Sequence, residues 1–97
     1  MILRFLRRRS ANDDGSTLGA IAAREDYCGF ELLARPVREQ GQWRLAGTVR
    51  RGNGDAAADY DFVRADTMAD HDECVRMCLA KARQLVDEQG ERLFADR

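Results

Sequence analysis

The segment Thr67 to Phe94, TMADHDECVRMCLAKARQLVDEQGERLF, repeats its apolar residues at helical spacing. On a helical wheel with Val75 in front, Leu79, Ala82, Val86 and Leu93 fall near the same meridian. Cys78 and Leu85 lie on one flank, while Asp72, Arg76, Met77, Arg83 and Asp87 point away. A helix with one apolar stripe and a charged back packs on a core. A flat apolar surface must meet that stripe, so the rest of the chain is expected to supply a sheet.

The expected sheet lies between Tyr27 and Ala65, where the pattern changes to period two. Phe30, Leu32 and Ala34 share one face of a first strand, and Glu31, Leu33 and Arg35 the other. Pro36 lacks an N–H, so this strand is an edge or ends there. Glu39-Gln40-Gly41 reads as a turn. Trp43, Leu45, Gly47 and Val49 line one face of a second strand, with Arg44, Ala46, Thr48 and Arg50 opposite. Gly52-Asn53-Gly54-Asp55 is a hairpin signal. Asp59 to Ala65 is the third strand, with Tyr60 and Phe62 on the inner face. Gly47 sits mid-strand on that face, where it would let the helix approach closely. Asp70 or Thr67 caps the helix, and Asp70 with Glu73 resembles a capping box. Gly90 either closes the helix or lies inside it. The return of Leu93 to the phase of Val75 favours a helix that continues. The expected fold is therefore α+β: a three-stranded antiparallel β-meander followed by one long C-terminal α-helix packed on one face.

Ninety-seven residues make one domain. Residues 1–26 read as a basic amphipathic arm and flexible linker, and residues 27–97 as the folded unit. So small a core makes a homodimer a reasonable expectation. Sixteen basic residues balance seventeen acids, but not evenly. Residues 1–10 carry Arg4, Arg7, Arg8 and Arg9 and no acid, whereas residues 66–97 carry eight acids against five bases. That asymmetry suggests a localised electrostatic contact rather than a basic surface overall. As a helix, MILRFLRRRS would be suited to weak peripheral contact with anionic lipid or with phosphates, and its bland reading is a frayed terminus. No stretch approaches the roughly eighteen apolar residues of a membrane span. Three cysteines and no signal peptide point to a cytoplasmic protein without a disulfide framework.

Several blocks resemble the small bacterial HlyU family. They are Tyr27-Cys28-Gly29-Phe30-Glu31-Leu32, Pro36, and Gly41-Gln42-Trp43-Arg44-Leu45-Ala46-Gly47. Two later blocks are Phe62-Val63-Arg64-Ala65-Asp66-Thr67 and the run Lys81 to Phe94. The resemblance implies a transcriptional activator with no catalytic residues and no cofactor. Its partner would be DNA or a regulatory protein. A single long helix with none before it cannot be a helix-turn-helix.

The residues alone show no catalytic constellation. His71 is the one histidine, and nothing places an orienting group beside it and a hydroxyl. An enzyme is not expected. His71, Cys74 and Cys78 are spaced three then four, which puts them along one side of a helix within reach of one metal ion. Core packing of small buried thiols is the alternative. The outward arginines Arg35, Arg44 and Arg50, together with the arm, are the candidate contacts to nucleic acid or a partner. Pairing with Asp59 and Asp61 on the neighbouring strand is their bland reading. Self-association through Leu33 and Val63 is a third. A non-catalytic interaction or adaptor domain with no nucleic-acid partner stands beside the regulator reading.

Overall fold

The computed structural model describes residues 18–52 and 57–95. The described residues form five strands and then one helix: β1 (Ala23–Tyr27), β2 (Phe30–Ala34), β3 (Val37–Glu39), β4 (Gln42–Arg51), β5 (Ala58–Met68) and α1 (His71–Gln89). A 3-10 turn, Gly90–Phe94, follows. The fold is α+β, and every strand pairing is antiparallel.

The expected meander is present but is a simplification. The expected first strand is β2, and a strand not read in the sequence, β3, follows Pro36 in line with it and takes in Glu39 from the expected turn; both share one edge of β4, β2 pairing with 47–51 and β3 with 42–44. Pro36, which has no N–H to give to a ladder, sits in the gap. It marks an end, not a sheet edge, because β1 covers the far side of β2. β5 runs along the other edge of β4. It continues to Met68, past the expected end at Ala65, through a register shift opposite Leu45.

β1 is an addition, for its residues 23–26 fall in the expected linker. It pairs with β2 through a two-residue turn, Cys28-Gly29, with both residues at positive φ. Gln40-Gly41 does the same between β3 and β4. Positive φ at both central positions is the type I′ signature, whose twist matches that of the strands it joins. In β1, Ala23, Glu25 and Tyr27 are half-buried and Arg24 and Asp26 exposed. The inward polar groups meet the helix: Arg83 Nη1 donates to Glu25 at 2.7 Å, and the Tyr27 hydroxyl donates to Asp87 at 2.8 Å.

The core lies between α1 and the inner face of the sheet, chiefly over β4 and β2. Phe30, Leu32, Ala34, Leu45, Val49 and Phe62 supply the sheet side, flanked by Trp43 and Tyr60. This is the face that the period-two pattern assigns. On the helix the buried residues are Cys74, Cys78, Ala82, Leu85 and Val86, while Val75 and Leu79 are only partly buried. The stripe is thus centred near Cys78, which lies about 60° around from Val75 at 100° per residue. Cys74 is fully buried.

Two glycines play roles other than those expected. A Cβ at Gly47 would lie 2.5 Å from the Leu33 carbonyl oxygen and 2.9 Å from the Phe62 ring. The close approach is therefore by the neighbouring strands, not the helix. Gly90 ends the helix: at φ 51°, ψ −127°, its N–H closes on the Val86 carbonyl. L-residues rarely adopt that backbone, so the helical phase breaks there. Leu93 and Phe94 fold back through the 3-10 turn, and Phe94 stacks on Phe30 with centroids 6.1 Å apart. At the other end, the Asp70 carboxylate accepts from Glu73 N–H at 2.7 Å, the expected cap.

Candidate functional site

The outer face of the sheet carries the side chains opposite α1. Alternation turns Leu33, Arg35, Ala46, Thr48, Arg50 and Val63 that way. Leu33, Ala46 and Thr48 nevertheless have no exposure, although Val63 is 45% exposed. Thr48 is the buried polar residue here, and both of its hydroxyl roles are filled. It accepts from Arg35 Nη1 at 3.3 Å and donates to Asp61 at 2.7 Å. That relay crosses from β2's end over β4 to β5, and it makes a buried hydroxyl tolerable.

Each of the three sheet arginines has acceptors within the chain. Arg35 also donates through Nε to the Gly19 carbonyl at 2.9 Å. Arg44 grips Glu39 with two nitrogens, Nη2 at 2.8 Å, and donates Nη1 to the Arg64 carbonyl at 3.0 Å. The paired guanidinium holds the Glu39 carboxyl below its usual range. Arg50 forks onto Asp59 at 2.8 and 3.2 Å, with Glu31 3.7 Å away. Asp59 attracts most strongly, and it raises the Arg50 pKa above the ordinary value. Arg50–Asp59 is the cross-strand pair named as the bland reading. Exposed ion pairs are worth roughly 0–1 kcal/mol, so such a guanidinium could be exchanged onto another anion at modest cost. Arg4, Arg7, Arg8 and Arg9 lie outside the described residues.

The trio on the helix separates. Cys74 and Cys78 point into the core: Cys74 Sγ lies 3.7 Å from the Trp43 carbonyl, and Ala46 N–H donates to Cys78 Sγ at 3.4 Å. Burial pushes the Cys74 thiol up to about 12 and raises Cys78 as well. Thiols this reluctant to ionise are poor nucleophiles. His71 turns instead to Trp43, edge-on at 4.5 Å between centroids. Arg38 stacks on the same indole at 5.2 Å. Among the described residues no three His, Cys, Asp or Glu side chains converge as a metal site. Nor is any helix there long and apolar enough to cross a membrane.

Sequence reasoning placed Arg35, Arg44 and Arg50 on β-structure facing outward but missed most of what they hold. Glu39 lies just across a hairpin from Arg44, a spacing that could have been used. The Gly19 and Arg64 carbonyls carry no side-chain signature. In comparison with known families, residues 5–94 match the model described as "Transcriptional activator HlyU". No curated protein and no solved structure matches.

Proposed function

This chain belongs to the HlyU family, a family of transcriptional regulators and not of enzymes, and from that premise we propose that it acts in the cytoplasm by contacting a regulatory protein rather than by reading DNA bases. The observation that carries this reading is the engagement of Arg35, Arg44 and Arg50 by acceptors of their own chain. Base readout needs guanidinium forks free to meet base edges. The single described helix, α1, also gives its apolar stripe to the sheet and is no recognition helix of a helix-turn-helix. A net charge of −1 fits a protein partner better than a polyanion.

A second reading is direct phosphate contact by Arg4, Arg7, Arg8 and Arg9, with Arg35, Arg44 and Arg50 exchanging their internal partners for phosphate. The localised charge of the arm favours it. Titration of a DNA duplex at two salt concentrations separates the two. Phosphate contacts release counterions, so affinity must fall steeply with salt. The protein-partner reading expects no salt-sensitive binding from either the full chain or a chain lacking residues 1–10. Tight low-salt binding lost with the arm would replace it with the second reading.

A further inference from the structure

The outer face of the sheet holds a layer that the helix side does not explain. Leu33, Ala46 and Thr48 have no exposure, yet strand alternation turns them away from α1. Leu33 and Ala46 are absent from the cluster of buried residues that α1 completes. Leu33 and Thr48 are cross-strand partners, and Ala46 pairs with Val63, so the apolar strip spans three adjacent strands. An uncovered strip of this kind would lie in water.

The chain enters the described structure at this face. Gly19 is tied to Arg35 in both directions: its N–H donates to the Arg35 carbonyl at 3.2 Å, and its carbonyl accepts from Arg35 Nε at 2.9 Å. The same guanidinium reaches Thr48. A Cβ at residue 19 would overlap the Pro36 carbonyl oxygen, so the chain passes here with no room for a side chain. Leu18 and Gly19 therefore lie beside the buried strip.

We propose that the N-terminal segment Ile2–Leu6 docks in cis on this outer face, its Ile2, Leu3, Phe5 and Leu6 side chains covering Leu33, Ala46 and Thr48. Eleven residues, 7–17, separate that segment from Leu18. Extended, they span up to about 36 Å, more than the roughly 15 Å across four neighbouring strands. The sheet would then be covered on both faces, by α1 on one and by the chain's own start on the other. A second copy is the rival occupant.

The test is methyl NMR on the full chain. Cross-relaxation peaks are expected from the Leu33, Ala46 and Thr48 methyls to Ile2, Leu3, Phe5 or Leu6. In an equal mixture of labelled and unlabelled chains they should be intramolecular. The double variant Phe5→Asp, Leu6→Asp should lose these peaks and shift those three methyls, while the Leu32 and Val49 methyls on the inner face stay in place. That inner-face readout shows that the variant is still folded. Peaks only between molecules would overturn the proposal in favour of a second copy. Absence of peaks to residues 2–6 in the folded full chain would overturn it outright.

Discussion

The ring of Phe62 lies across Gly47, its cross-strand partner, close enough that a Cβ at residue 47 would sit 2.9 Å from Cζ. The Leu33 carbonyl oxygen blocks the same space from the other side at 2.5 Å. The ring can rotate away, but the backbone of β2 cannot do so without breaking its ladder. Gly47→Ala should therefore cost about 1–3 kcal/mol, the usual range for overpacking a core. Urea unfolding measures it. A change within about 0.5 kcal/mol, the range of an unremarkable surface substitution, would show that β2 moves freely.

Burial of both helix thiols sets a different pattern from metal ligation. Cys74→Ser and Cys78→Ser should each lose about 1–3 kcal/mol, because each places a hydroxyl in an apolar site. His71→Ala should lose less, about 0.5–1.5 kcal/mol, the worth of its edge contact with Trp43. Chelator should leave the midpoint of thermal unfolding unchanged. Equal losses at all three positions together with chelator sensitivity would point to a bound metal ion.

The raised Cys74 thiol predicts an alkaline limb. Unfolded, the thiol ionises near 9.0, whereas in the fold it holds its proton to about 12. Between those values the native state binds more protons than the unfolded state, so stability falls as pH rises. The contribution is complete below about pH 9 and is lost progressively toward pH 12. Cys74→Ala should flatten that limb in unfolding curves taken from pH 8 to 11. An unchanged slope would mean that the thiol is not the group responsible.

The Arg44–Glu39 pair acts at the other end of the scale. Hydrogen bonds from Arg44 lower the Glu39 pKa below 4.5. A depressed carboxylate stabilises the fold above its unfolded value and loses that contribution as pH falls through the folded one. Arg44→Gln should move the Glu39 titration, followed by carboxyl chemical shift, back up toward 4.5. No movement would mean that the pair does not persist in solution.

Much of the inner face was legible because Phe30, Leu32, Leu45, Val49 and Phe62 recur at period two, and that period has one structural meaning. β1 was not. Its Ala-Arg-Glu-Asp-Tyr sequence offers little apolar contrast, and inward Glu25 is made acceptable by Arg83, 58 residues away. The phase of α1 was misjudged because Val75 outranks cysteine on hydropathy alone. The sheet, through Trp43 and Ala46, decides which helix face turns inward. For the candidate site, alternation placed Arg35, Arg44 and Arg50 outward, and Arg50–Asp59 could be anticipated across the hairpin. The hold of Arg35 on Gly19 could not, since a backbone carbonyl exists at every position.

The placement of β2 and β3 in line on a shared edge of β4 has a consequence for how the chain assembles. β1–β2, β3–β4 and β4–β5 each join neighbours in sequence. The remaining pairing, β2–β4, skips only the three residues of β3 and its short turns. The sheet can therefore grow by successive hairpins, with no early closure of a long loop. Contacts so local in sequence lower the entropic barrier to the transition state. The described sheet should form faster than an all-β sandwich of equal length, with the docking of α1 the step that brings the distant ends of the chain together.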